Sequence, residues 1–170
     1  MRVSKPTIDY QQVTAEKTRI YSLINRSDGY GWKEFNMLIS RIMQNYCGAV
    51  KSEELLNIGL RLLEDMENKD APKLYARNPH ELIRSLEVLN ILTNAKIVIY
   101  SCLARKASSK HLHFIRSDYP EMDPPEWHKF ITIKLDNKKV KVGEKPIDYY
   151  GSLRENYEIH NKEYIERGVE

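Results

Sequence analysis

Glycine is scarce in this chain and badly placed for nucleotide binding: there are seven in 170 residues, and none stands in a G-x-G-x-x-G or GxxxxGK[ST] arrangement. Such loops bring backbone amides up to phosphate oxygens, so without them a flavin, nicotinamide or nucleoside-phosphate site made by this chain alone is not expected. Cysteine is scarcer still. Cys47 and Cys102 form no CxxC unit and each falls inside an apolar helical pattern, which reads as buried, reduced thiols rather than a disulfide. No apolar run approaches the roughly 20 residues that span a bilayer. The opening "MRVSKPTIDYQQ" lacks the apolar stretch of a signal peptide, so the expectation is a cytoplasmic protein without direct membrane insertion. Charge of one sign is lacking too. Lys and Arg number 27 against 24 Asp and Glu, and a net charge of +3 is too small for the clustered basic footprint of a nucleic-acid binder.

What remains is a polar, helix-rich chain. Hydrophobic residues make up 41% and the mean hydropathy is -0.60, enough for one domain, or one domain with an extended appendage. Residues 11–25 carry Val13, Ile20, Leu23 and Ile24 at loose helical spacing, and "RSDGYG" breaks the pattern. Trp32, Phe35, Ile39, Ile42, Met43 and Tyr46 then line one helical face, with Gly48 expected as a left-handed cap. Ser52 caps the next helix, and Glu53 and Glu54 suit its positive end. That helix buries Leu55, Leu56, Leu62, Leu63 and Met66 and dissolves in "ENKDAPK".

The fourth helix is the clearest. Asn78 is its N-cap, Pro79 its first residue and Glu81 its capping-box partner. Leu82, Leu86, Leu89, Leu92, Ile97, Tyr100 and Leu103 are expected on one side, with Ile83, Ile91, Ala95, Val98 and Cys102 widening the stripe. A helix of about 27 residues runs about 40 Å at 1.5 Å per residue. So long and apolar a helix is the central member of a bundle.

From residue 115 the character changes. "IRSDYPEMDPPEWHKF" holds three prolines that forbid a helix, yet also Tyr119, Trp127 and Phe130, costly side chains to leave in a loop. "KFITIKL", a turn at "DNKK" and "VKVGEK" follow as a β-hairpin whose lysines protect its edges. The tyrosine-rich end reads either as a short helix or as an arm around a partner. The fold expected is therefore mainly α: a three- to four-helix up-down, spectrin-repeat-like bundle over residues 1–114. Residues 115–170 add an extended Pro/aromatic docking segment, a β-hairpin and a C-terminal tail.

Few residues offer chemistry. His111 and His113, with His128 further on, could present imidazoles to a metal, but no further ligands stand at a recognisable spacing, so no metal site is assigned. Ser108 and Ser109 occupy no strand-turn-helix elbow that would activate a nucleophile, so no catalytic residue is assigned either. Arg105, Arg116, Asp118, Tyr119, Asp123 and Trp127 are different. They cluster in 23 residues after the long helix and include the residue types that dominate interfaces, so they are the candidate interface. An internal pairing of Arg116 with Asp118, or a cap on the helix end, is the alternative for those two.

The order Arg105, a variable turn, Arg116-Ser117-Asp118-Tyr119-Pro120, then Asp123 and Trp127 resembles the C-terminal helical domain of the succinate dehydrogenase and fumarate reductase flavoprotein family. Its longer turn resembles the dissimilatory adenylylsulfate reductase alpha-subunit branch most. "LISRIMQNYCGAVKSEELLNIGLRLLEDM" resembles the family's two preceding helices. Where the succinate dehydrogenase branch has a glutamate-serine-arginine-glycine run, this chain has Ala107-Ser108-Ser109-Lys110. The resemblance implies a helical module, or small separate subunit, of an FAD-dependent oxidoreductase that gives packing and subunit contacts rather than an active site. It implies FAD in the parent complex and none bound by this chain alone. The implied partners are an FAD-binding flavoprotein domain or subunit and an iron–sulfur electron-transfer subunit, assembled in the cytoplasm or at the inner face of the membrane. An independent all-α interaction or regulatory domain without redox function is the competing expectation.

Overall fold

The computed structural model describes residues 7–136, 139–147 and 152–166. Helix α1 (Tyr10–Tyr21) is capped by Asp9, whose carboxylate accepts the amides of Gln11 and Gln12, but it buries no side chain. The bundle proper is α2 (Trp32–Tyr46), α3 (Glu53–Asp65) and α4 (Pro79–Ala104), each packed on the other two. Every α2 position expected on the inner face is buried or half-buried. Ser52 and Asn78 cap α3 and α4 by accepting the amides of Leu55 at 3.2 Å and Glu81 at 2.9 Å. Glu81 reaches back to the amide of Arg77 at 2.9 Å, one residue before the cap, so the capping box closes one position wider than expected.

Two glycines let the bundle close. Gly29, at φ +139°, approaches the carbonyl of Lys73 so nearly that a Cβ there would sit 2.0 Å from its oxygen. Beside it Tyr30 and Leu74 bridge, with Tyr30 donating to the Lys73 carbonyl at 3.0 Å and Tyr75 to Tyr30 at 3.2 Å. Gly59 brings α3 against both neighbours, because a Cβ would fall 2.8 Å from Tyr46 Cβ and 3.3 Å from Ile99 Cδ1. Gly48 is not the left-handed cap expected. Cys47 ends α2 at φ -127°, and Gly48 stands where a Cβ would press on the carbonyl of Gln44.

The buried side of α4 also differs from expectation. Leu82, Ser85, Val88, Leu92, Ala95, Ile99 and Cys102, at steps of three and four, form the inner stripe. Leu86, Leu89 and Leu103 flank it, whereas Ile83, Ile91, Ile97 and Val98 face outward. The helix is apolar nearly all round, so periodicity alone could not choose its inner face, and two small residues, Ser85 and Ala95, mark where neighbours come close. By length and composition α4 is apolar enough to cross a bilayer, contrary to the reading of the apolar runs. In this fold its inner stripe is the centre of the protein core.

The "ENKDAPK" stretch keeps turning as a π-helical turn (Met66–Asp70) and a 3₁₀ turn (Ala71–Lys73). Leu55, expected inside, is exposed beside the α3 cap. Two strands hold the far end: β1 (Val50–Lys51), before α3, pairs in parallel with β2 (Ile115–Arg116), after α4. The hairpin is β3 (Lys129–Asp136) and β4 (Lys139–Pro146), antiparallel with Ile133 opposite Val142. Ile131 and Ile133 are half-buried, and Ile133 helps enclose a cleft of about 350 Å³ against Lys96, Ile97 and Tyr100 of α4. Helix α5 (Ser152–Glu166) occupies the tail, where a helix or an arm was expected. Of its tyrosines, Tyr149 and Tyr150 lie outside the described residues.

Candidate functional site

Because α2, α3 and α4 run up, down and up, the end of α2, the start of α3 and the end of α4 share one pole of the bundle. The chain after α4 folds over that pole. Ala107, Ser108 and Ser109, small residues in sequence, are fully buried under it. Ser108 is its hub: its hydroxyl accepts the Arg116 amide at 2.8 Å and donates to the Tyr119 carbonyl at 2.8 Å. Its backbone exchanges bonds with Glu121 and Asp123, both at 2.9 Å. A serine so engaged fastens the segment after α4 to itself.

The six candidate interface residues do come together here. Arg116 is 0% exposed, and a buried guanidinium requires partners for all its donors. One terminal nitrogen donates to the carbonyls of Cys102 at 2.6 Å and Arg105 at 2.9 Å, the last carbonyls of α4. The remaining edge forms a two-bonded pair with Asp118, at 2.7 and 2.6 Å. The same Asp118 carboxylate accepts the amide of Glu53 at 2.8 Å, at the positive end of α3. The guanidinium beside it, and then the Glu53 amide, hold its pKa down to about 2. Arg116, in return, is held above its usual value by Asp118. The internal alternative thus describes Arg116 and Asp118: they pair, and they close the ends of two helices at once.

The other four sit outside this latch. Arg105 lies between two aromatic rings, 5.9 Å from the centroid of Phe114 and 5.8 Å from that of Trp127, and donates to the Trp127 carbonyl at 3.2 Å. Trp127 also carries Lys129 4.6 Å from its ring centroid. Tyr119 lies 5.0 Å from the Arg116 guanidinium on one side, and Lys106 reaches its ring at 5.9 Å. Asp123, at φ 47°, accepts the amide of Lys110 at 3.1 Å. Tyr119, Trp127 and Arg105 remain half-exposed, so the surface of this pole alternates aromatic rings with cations.

Sequence reasoning missed Lys51 and Phe114, which meet at 4.6 Å beneath β2, and the proximity of Cys47 to Cys102. One signal was available for the cysteines: both stand at the C-terminal ends of helices that run parallel in an up-down-up bundle. His111, His113 and His128 are exposed, and among the described residues no three His, Cys, Asp or Glu side chains gather as a metal site would require. The described glycines form no phosphate cradle. The open face of Gly29 is filled by the Lys73 carbonyl, that of Gly31 by the Glu34 carboxylate, and that of Gly59 by Tyr46. At those three positions no open backbone is left for a phosphate to approach.

Residues 37–164 match the family model described as fumarate reductase flavoprotein C-term. The succinate dehydrogenase flavoprotein subunit of Rickettsia felis is 27% identical over 145 residues, covering 78% of this chain and 24% of its own. The adenylylsulfate reductase subunit alpha of Megalodesulfovibrio gigas is 31% identical over 125 residues, covering 69% of this chain and 18% of its own. Among solved structures, adenosine-5-phosphosulfate reductase in complex with sulfite superposes with a TM-score of 0.79 at 23% identity, over 85% of this chain and 26% of that one. Quinol fumarate reductase from E. coli gives 0.68 at 17% identity, over 83% and 25%. The chain therefore spans about a quarter or less of the length of these relatives.

Proposed function

From the membership of this chain in the fumarate reductase flavoprotein C-terminal family, we propose that it serves as a docking module for an FAD-binding flavoprotein domain or subunit. It is the helical C-terminal part of that flavoprotein type, shared by succinate dehydrogenase, fumarate reductase and adenylylsulfate reductase. In this reading it supplies packing and subunit contact, while the flavin and the substrate are held elsewhere. An iron–sulfur electron-transfer subunit is the second partner, and the assembly works in the cytoplasm or on the inner face of the membrane.

The observation that carries the reading is the division of labour at the latch pole. Arg116 and Asp118 satisfy each other and the helix ends, so the pole is built without a partner. Trp127, Tyr119 and Arg105 are left half-exposed on that rigid base, already oriented. Pre-ordered aromatic and arginine side chains lose little entropy on association and are the residue types that dominate binding energy. The outward Ile83, Ile91 and Val98 of α4 add apolar surface that a larger flavoprotein would cover.

The test is capture. The isolated chain should purify without flavin absorbance and should bind a separately produced flavin-binding domain of the same family. Trp127→Ala should leave the melting temperature of the isolated chain nearly unchanged and weaken capture by about 2–4 kcal/mol. Unaltered capture with a large loss of stability would make the segment internal packing and overturn the docking role. Stoichiometric flavin in the isolated chain would overturn the module reading itself.

A further inference from the structure

The parallel helices α2 and α4 end side by side, and Cys47 and Cys102, 55 positions apart, stand with their sulfurs 3.8 Å from one another. Both are free thiols; Cys102 is buried in the last turn of α4 and Cys47 is half-buried at the C-cap of α2. A third group makes the pair unsymmetrical. Lys51, 7% exposed, donates to the Ala49 carbonyl at 3.3 Å and lies over Phe114, with no carboxylate ion pair among the described residues. A buried ammonium without a carboxylate favours an anion nearby, and its charge acts on both sulfurs.

The two thiols respond in opposite directions. The sulfur–sulfur contact with Cys102 lowers Cys47 to about 7, with Lys51 helping and burial opposing. Cys102, beside Cys47 and the more buried of the two, is pushed up and keeps its proton. One sulfur is thus exposed enough to meet a small oxidant, and the second waits within a short side-chain rotation of it.

We propose that Cys47 and Cys102 are a peroxide-oxidisable dithiol, Cys47 the attacking sulfur and Cys102 the resolving one. The product is an intramolecular disulfide that ties the end of α2 to the end of α4. The Cys47 thiolate attacks one oxygen of hydrogen peroxide. The O–O bond breaks, hydroxide leaves and takes up a proton to become water, and Cys47 becomes a sulfenic acid. The Cys102 sulfur then attacks the Cys47 sulfur. The S–O bond breaks, the Cys102 proton leaves with that oxygen as a second water, and the S–S bond forms. The two thiols lose two electrons in all, and one peroxide is reduced to two waters. The sulfurs must approach by about 2 Å to reach bonding distance. Cys47 can supply that movement because its backbone has already left the helix, at φ -127° and ψ 30°. The bond would lock the pole that carries Arg105, Tyr119 and Trp127, since Arg116 holds the Cys102 carbonyl at 2.6 Å.

The full chain treated with hydrogen peroxide should lose about 2 Da as a monomer, and non-reducing peptide mapping should find the Cys47 and Cys102 peptides joined. Its melting temperature should rise by about 5–10 °C and return with dithiothreitol. In Cys102→Ser, oxidation should stop at a Cys47 sulfenic acid that dimedone traps, with no rise in melting temperature. Lys51→Met should shift the pH profile of Cys47 alkylation by iodoacetamide upward, while the untreated fold stays cooperative. The proposal is overturned if the native chain yields only intermolecular dimers or no joined peptide. It is equally overturned if Cys47 alkylates with the pH profile of an ordinary thiol.

Discussion

Arg116 and Asp118, two residues apart, face opposite helices through one ion pair: Arg116 reads the last carbonyls of α4 while Asp118 reads the first amide of α3. Helix dipoles make both placements favourable, since the cation meets a negative helix end and the carboxylate a positive one. Replacing Asp118 by Asn keeps one acceptor but leaves the buried guanidinium uncompensated. The expected loss is about 3 kcal/mol, the lower range for breaking a buried pair because Asp118 is itself partly exposed. Denaturant unfolding of Asp118→Asn measures it, and a change within about 0.5 kcal/mol would show that the latch contributes little.

The same pair sets an acid limit. Asp118 titrates at about 2 in the folded chain against an ordinary 3.8, so its folded pKa is depressed. A depressed carboxylate gives stability that is present above its unfolded pKa and is lost as pH falls through the folded one. The contribution should be whole above about pH 4 and fade towards about pH 2. The stability difference between the native chain and Asp118→Asn should therefore shrink across that interval and stay flat from pH 5 to 8. A difference independent of pH down to 2 would contradict the assignment.

The two sides of α4 should behave oppositely. Leu92 is 1% exposed at the centre of the inner stripe, and Leu92→Ala should cost about 2–5 kcal/mol. Ile83 is 58% exposed, and Ile83→Gln should change the stability of the isolated chain by less than about 0.5 kcal/mol. Thermal melts of the two variants side by side decide which stripe forms the core.

Gly59 offers a test of helix spacing. Alanine is the better helix former by about 1 kcal/mol, so on propensity alone Gly59→Ala should stabilise α3. The new methyl would stand 2.8 Å from Tyr46 Cβ, an atom fixed to the backbone of α2. Overpacking of that kind costs about 1–3 kcal/mol, so the steric term should win and the melting temperature should fall.

Much of the fold was legible because it is local. Asn78-Pro79 and Ser52 announce their helices through side chains that reach amides three residues on, and the hairpin follows from alternation on either side of a turn. The candidate cluster was legible as a cluster, since all six residues lie within one short stretch. Its internal arrangement was not. Residue type groups Arg116 with Trp127 as interface chemistry, yet one is enclosed and the other half-exposed, and type alone does not separate the two.

The sequence by itself determined the helix starts, the hairpin, the apolar budget of the core and the residues gathered after α4. Each of these rests on interactions over a few positions, or on composition. Only the tertiary structure decided which side of α4 turns inward, that the Arg116–Asp118 pair closes two helix ends, and that Cys47 meets Cys102. Those outcomes join residues 14 to 65 positions apart. They depend on where whole helices come to rest, set by close approaches such as Gly59 against Tyr46, and no short-range pattern encodes such a placement.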